Sequence, residues 1–136
     1  MTAARAEVCV GAVVVDGDRL LLVQRGRGAG AGWWSIPGGR VEPGETLAGA
    51  VERELHEETG LHGHCGAFLG WVERIDDEHH FVIFDFVVTV SGAEAVAGDD
   101  AAAVRWVPLA DVGSWPPTVG GLVTFLVEHG VVPAPA

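Results

Sequence analysis

Residues 53–60 read RELHEETG and place Arg53 beside Glu54, Glu57 and Glu58 in a stretch with helical periodicity. The glutamates are neighbours at helical spacing. Like charges so placed repel by about 0.2–0.5 kcal/mol per pair on an exposed helix, and by more when buried. At ~100° per residue, Leu47, Ala50 and Val51 fall within about 60° of Glu54, Leu55 lies near one edge, and Glu57 and Glu58 share the side. The outward face then holds Ala48, Gly49, Glu52, His56 and Thr59. A solvated face is the usual meaning of acidic residues on a helix. Here they share azimuth with the apolar anchors, and burying three unpaired carboxylates would be prohibitive. A hard divalent cation bound through oxygen offsets both desolvation and repulsion. Mg²⁺ suits best, because it takes few protein carboxylates and leaves positions for water and substrate phosphate. Arg53 borders the stripe and can pair with Glu57 one turn on, or with an acid of the preceding loop. In that loop, GGRVEPGE, Gly38 and Gly39 leave carbonyls bare, and a bare carbonyl is a further metal ligand.

The rest of the chain must position this group. EVCVGAVVV, residues 7–15, predicts a strand buried on both faces, and VDGDRL followed by LLLVQR predicts a hairpin. GRGAGAG reads as a loop; Ala31 breaks G-x-G-x-x-G and no helix opens after it, so a dinucleotide fingerprint is not expected. WWSIPGG predicts a short strand that stops at Pro37 and the two glycines. Residues 46–59 are the best helix, with Thr46 as cap and Gly60 as stop. GHCGAFLGWVERI and HHFVIFDFVVTVSG predict two strands around the turn DDEH, and AVRWVPL one more. VGGLVTFLVEHG predicts a closing helix on Leu122, Val123, Leu126 and Val127, ended by Gly130. Strands on both sides of a central helix, with a second helix at the end, predict α/β layers around a mixed sheet.

Composition narrows the function classes. The 136 residues suit one domain, 1–136. The net charge of −11 argues against a protein that grips nucleic-acid backbone, and it favours metal-assisted chemistry if phosphates are handled at all. No apolar run has the length of a membrane span, and the first ten residues lack the apolar core of a signal peptide; we expect a cytoplasmic chain with no membrane partner. Cys9 and Cys65 suggest neither a disulfide framework nor a zinc knuckle, and are expected to be small buried hydrophobes. The apolar N-terminal strand and exposed edge strands suit a homodimer.

GRVEPGETLAGAVERELHEETGL, residues 39–61, resembles the Nudix box, G-x5-E-x7-R-E-U-x-E-E-x-G-U with U aliphatic. Every position is met, by Gly39, Glu45, Arg53, Glu54, Leu55, Glu57, Glu58, Gly60 and Leu61. WWSIPGG before the box and RWVPLADV after it are also similar to the family. The resemblance implies a Nudix-type α/β/α sandwich: a mixed central β-sheet, the loop-helix of the box and a C-terminal helix. It implies Mg²⁺-dependent (or Mn²⁺-dependent) hydrolysis of a small nucleoside diphosphate derivative. Carried over by position, Glu57 and Glu58 are metal ligands and the Gly38 carbonyl a third. Glu54 is a ligand or the general base, while Glu45 and Arg53 hold the loop to the helix.

Outside the box the assignments are open. Arg25 ends a strand where similar proteins place a basic residue near phosphates, against a plain surface ion pair; Arg27 is a second such residue. Trp34 fits the core, whereas Trp33 is extra and can stack on a base. Phe84 and Phe86 share one face, as core or as a stacking platform. Relatives often draw one more acidic ligand from the loop that here reads GDDAAAVRW; Asp99 or Asp100 can serve, but Ala101 to Ala103 stand where a glutamate is common. His79 and His80 lack partners at ligand spacing. The missing marks of other subfamilies leave an ADP-ribose-like nucleoside diphosphate sugar as the favoured substrate. The alternatives are an oxidised nucleoside triphosphate or a module that binds nucleotide without cleaving it.

Overall fold

The computed structural model describes residues 5–28, 30–98, 100–115 and 117–134. Its strands are β1 (Ala6–Val13), β2 (Val15–Asp16), β3 (Arg19–Arg25), β4 (Trp34–Ser35), β5 (Gly38–Arg40), β6 (Gly63–Ile75), β7 (His80–Val90) and β8 (Ala101–Pro108). Helix α1 spans Leu47–Thr59 and helix α2 Leu122–Glu128, with a 3₁₀ turn over Leu109–Ser114 that periodicity did not predict.

The strands form two sheets. One runs β5-β1-β7-β6 and is mixed: β1 lies parallel to β7 and antiparallel to β5. The other centres on β3, which pairs antiparallel with β2, β4 and β8. The continuous apolar runs of β1 and β3 follow from burial on two sides. Val10, Ala12, Val14 and Leu21 pack under α1 with Ala50, Val51, Leu55 and Val88. Val13, Leu20 and Leu22 point the other way, into a second core with Trp34, Ile36, Phe125 and Leu126 of the α2 layer. The result is the expected α/β/α layering.

Helix α1 begins where Thr46 Oγ1 accepts from the Gly49 N–H and ends where Gly60 turns left-handed at φ 76°. Three local expectations need correction. The strand at the tryptophans, β4, does stop before Pro37, but the two glycines are not loop: Gly38 and Gly39 open a separate strand, β5, in the other sheet, and Gly38 packs on the β1 backbone, where a Cβ would strike the Val10 carbonyl. Thr59 is fully buried rather than outward, its Oγ1 donating to the Leu55 carbonyl at 2.7 Å and accepting from the Leu61 N–H. Glu52 is half-buried and accepts the Cys65 N–H at 2.8 Å. The inward arc is therefore centred nearer Leu55 than Glu54, and the glutamates stand on its rim. Glu54 and Glu58 are half-buried, while Glu57 is exposed.

β1 is paired on both sides, and the edge strands of its sheet are β5 and β6. Cys9 is buried and its thiol is pushed up to about 11 by burial first and by Glu7 second, which leaves it unreactive, whereas Cys65 is only partly covered. Among the described residues no helix is long and apolar enough to cross a membrane.

Candidate active site

Arg53 organises the box. Its Nε and Nη2 donate to both oxygens of Glu45, at 2.6 and 2.9 Å, in a fork-to-fork pair. Nη1 donates to Glu54 at 2.8 Å and to Glu57 at 3.2 Å, and Nη2 also reaches the Arg40 carbonyl at 3.1 Å. Both partners proposed for Arg53, the next-turn glutamate and a loop acid, are thus engaged together. The pairing with Glu45 drives the guanidinium pKa upward. Glu45 in turn falls to about 2, because the Arg53 hydrogen bond and then the Glu42 N–H favour its charged form. The loop is tied to the helix by a contact that stays ionised at any physiological pH.

The glycines bring backbone against the acids. A Cβ on Gly39 would stand 2.5 Å from the Glu54 carboxyl carbon, so the carboxylate lies directly on the Gly39 Cα. The Gly38 N–H donates to Glu58 Oε2 at 2.9 Å, which turns this glutamate toward β5 and the start of the box. From the other side, Gly98 fits closely against the Glu57 carbonyl and its N–H donates to the Glu58 carbonyl. That contact draws the β7–β8 loop to the end of α1.

Among the described residues no three His, Cys, Asp or Glu side chains already converge to hold a metal ion. The donor set still fits a hard cation. It is oxygen only, it clusters on one rim of α1, and a cation that keeps waters and phosphate oxygens needs only one or two carboxylates. Glu54, Glu57 and Glu58, with the Gly38 carbonyl, are the residues that would hold it.

The remaining candidates separate. Arg25 sits at the exposed end of β3, its N–H donating to the Trp33 carbonyl at 2.9 Å, so Arg25 and Trp33 are neighbours and Trp33 is well exposed. Arg27 and Asp100 are paired with each other at 2.5 Å on the open surface. Asp99 lies outside the described residues. Phe84 joins Phe68 and Phe86 on the α1 side of the sheet, across from Trp71 and in the row that runs through Val10 to Gly39. His80 contacts Glu73 and His79 contacts Asp76 in the hairpin turn. Trp34 is core, packed edge-on to Trp115 at 5.7 Å.

Sequence reasoning passed over one group. Asp85, between Phe84 and Phe86, faces away from α1 and is 3% exposed. Its Oδ1 finds no hydrogen-bond partner among the described residues. Burial pushes its carboxyl up to about 6, opposed by the charges of Arg74 and His129. Arg74 is itself lowered, by burial first, with the nearby Arg25 adding to the effect and Asp85 opposing it. The available signal was an acid inside an otherwise apolar strand.

Residues 5–123 match the NUDIX domain, and the chain belongs to the Nudix family. Within it, an ADP-ribose pyrophosphatase of Methanocaldococcus jannaschii is 40% identical over 97 residues, covering 66% of this chain and 57% of that protein. A putative 8-oxo-dGTP diphosphatase of Bacillus subtilis is 36% identical over 98 residues, 70% of this chain and 61% of its own length. The match thus spans less than two thirds of either relative. A MutT NUDIX hydrolase from Burkholderia pseudomallei superposes with a TM-score of 0.81 at 29% identity, covering 90% of this chain and 96% of its own. The MutT protein of Methanosarcina mazei superposes at 0.87 with 24% identity and 96% coverage of both chains, a likeness of fold.

Proposed function

We propose that the chain hydrolyses the diphosphate linkage of a small nucleoside diphosphate derivative, with Mg²⁺ or Mn²⁺ as cofactor, releasing a nucleoside monophosphate and a phosphorylated remainder. The observation that carries this is the intact cluster in which Arg53 binds Glu45, Glu54 and Glu57 while Gly38 and Gly39 press backbone on Glu58 and Glu54. When bound, the metal neutralises phosphate oxygens and lowers the pKa of a bound water. The protein's own part is positioning. Arg53 keeps Glu54 and Glu57 side by side, and Glu45 anchors Arg53, so the loop cannot drift from the helix. Glu54, held against Gly39, is either a ligand or the base that takes the proton of the attacking water. Arg25 is the residue we assign to the phosphates, with Arg74 near enough to feel its charge.

ADP-ribose is the favoured substrate type, in line with the relative of that name. The Bacillus subtilis relative keeps an oxidised nucleoside triphosphate as the second reading. The test is a phosphatase-coupled screen of both compound types with Mg²⁺. Glu54→Gln and Glu58→Gln should each cut turnover at least ~100-fold with folding retained, the scale of losing a catalytic group. Wild-type turnover in both variants would sink the hydrolase, and tight binding without product would make the chain a nucleotide-binding module.

A further inference from the structure

Asp85 occupies an unusual row. In the sheet β5-β1-β7-β6 the register aligns Gly38 with Gly11, Gly11 with Asp85, and Asp85 with Gly70. One carboxylate is therefore the only side chain in a lane of three glycines that crosses the whole sheet. The lane starts at Gly38, beside the acids of α1, and ends under α2. At about 4.8 Å per strand, Asp85 lies roughly 10 Å from the Gly38 end.

At Gly11 and Gly70 the nearest cover of the lane is side chain. A Cβ on Gly11 would meet the Asp85 carboxylate and, at 2.9 Å, Ile36 Cδ1. One on Gly70 would meet His129 Nε2 at 2.6 Å and Phe125 Cε1 at 3.1 Å. Glycine is thus required on both neighbouring strands for the carboxylate and its cover to sit down on the sheet. An acid left without a hydrogen bond in such a place costs stability. Arg74 and His129 act on it through their charges, and its Oδ1 has no hydrogen-bond partner among the described residues.

Resting on the hydrolase reading, we propose that Asp85 is a specificity-determining residue: it accepts hydrogen bonds from donor groups on the organic part of a substrate whose diphosphate lies at the Gly38 end. The donors are N–H groups of a nucleobase or hydroxyls of a second sugar. Ile36, over Gly11, and His129, over Gly70, are the side chains that such donors would displace. A site built to bond a donor discriminates strongly against the analogue lacking it, because the buried acceptor is then left unpaired.

The experiment compares wild type with Asp85→Asn and Asp85→Val on matched compounds. These are ADP-ribose, its 6-desamino purine analogue and an ADP alkyl ester, and 8-oxo-dGTP against 8-oxo-dITP. Turnover gives kcat and KM, and calorimetry on the same compounds gives affinity. We expect kcat/KM for the member of one pair that bears the group to fall at least tenfold, mostly through KM, with less than twofold change for the partner that lacks that one group. The pair that responds identifies base or sugar as the source. The Tm should hold or rise. Equal losses across all compounds, no loss at all, or a fall in Tm with uniform loss would each overturn the proposal. Absence of turnover by the wild type on every compound would defeat the hydrolase reading, and the binding comparison would still decide the role of Asp85.

Discussion

Replacing Asp85 by Asn should stabilise the protein, in a way that depends on pH. The carboxyl is raised from 3.8 to about 6, chiefly by burial. At 1.36 kcal/mol per tenfold change, that difference corresponds to about 3 kcal/mol between the two protonation states. The sign follows from which form the fold prefers. The native state holds the proton more tightly than the unfolded chain, so the favourable contribution is complete below about pH 3.8 and is lost as pH rises through about 6. Above that the wild type carries the full cost of a buried charge, whereas Asn carries none. Asp85→Asn should therefore exceed the wild type by up to about 3 kcal/mol at pH 7.5, or about 10 °C in Tm for a chain of this size. The two should converge near pH 4. Urea unfolding of both proteins at intervals from pH 4 to 8 gives the difference directly. The other carboxylates, Glu45 among them, titrate in both proteins and cancel. A difference that does not change with pH, or an Asn variant less stable at pH 7.5, would refute the reasoning.

Other outcomes follow from the box. Gly39→Ala should lower turnover at least tenfold with a smaller effect on folding, since the new methyl displaces Glu54; steady-state kinetics beside a thermal melt separates the two. Gly38→Ala should instead destabilise the fold, because its methyl meets the Val10 carbonyl and the β1 backbone, which cannot yield as a side chain can. Arg53→Lys should also cost at least tenfold in kcat, since an ammonium cannot fork onto both Glu45 oxygens while touching Glu54 and Glu57. Millimolar Mg²⁺ should raise the Tm of the wild type by mass action and leave Glu58→Gln largely unmoved, as read by differential scanning fluorimetry.

The legible parts of this chain are those whose signals are local. Helix α1, its Thr46 cap and Gly60 stop, the Gly17 hairpin and the pairing of Arg53 with Glu57 and a loop acid all depend on residues close in sequence, and all are found. The rim position of the glutamates was misjudged by part of a turn. The azimuth was referred to Glu54, whereas packing is centred by Leu55 and the buried Thr59. The division into two sheets and the parallel pairing of β1 with β7 depend on contacts across most of the chain, which periodicity does not carry. Asp85 shows the same limit. Its apolar surroundings are visible in the string FDF, but the glycines opposite it come from β1 and β6 and meet it only once the register exists.

That parallel pairing also sets an order in time. β1 leaves the ribosome about seventy residues before its partner β7. Contacts so far apart in sequence form slowly, because the intervening chain must be closed into a loop before any pairing repays it. Until then an apolar strand waits with one side bare, and the row from Gly38 to Gly70 does not exist. The glycine lane should assemble late, with the pairing of β3 and β8 the other long-range step. A chain halted before residue 80 would carry the whole acidic box and still lack the floor on which we expect its substrate to lie.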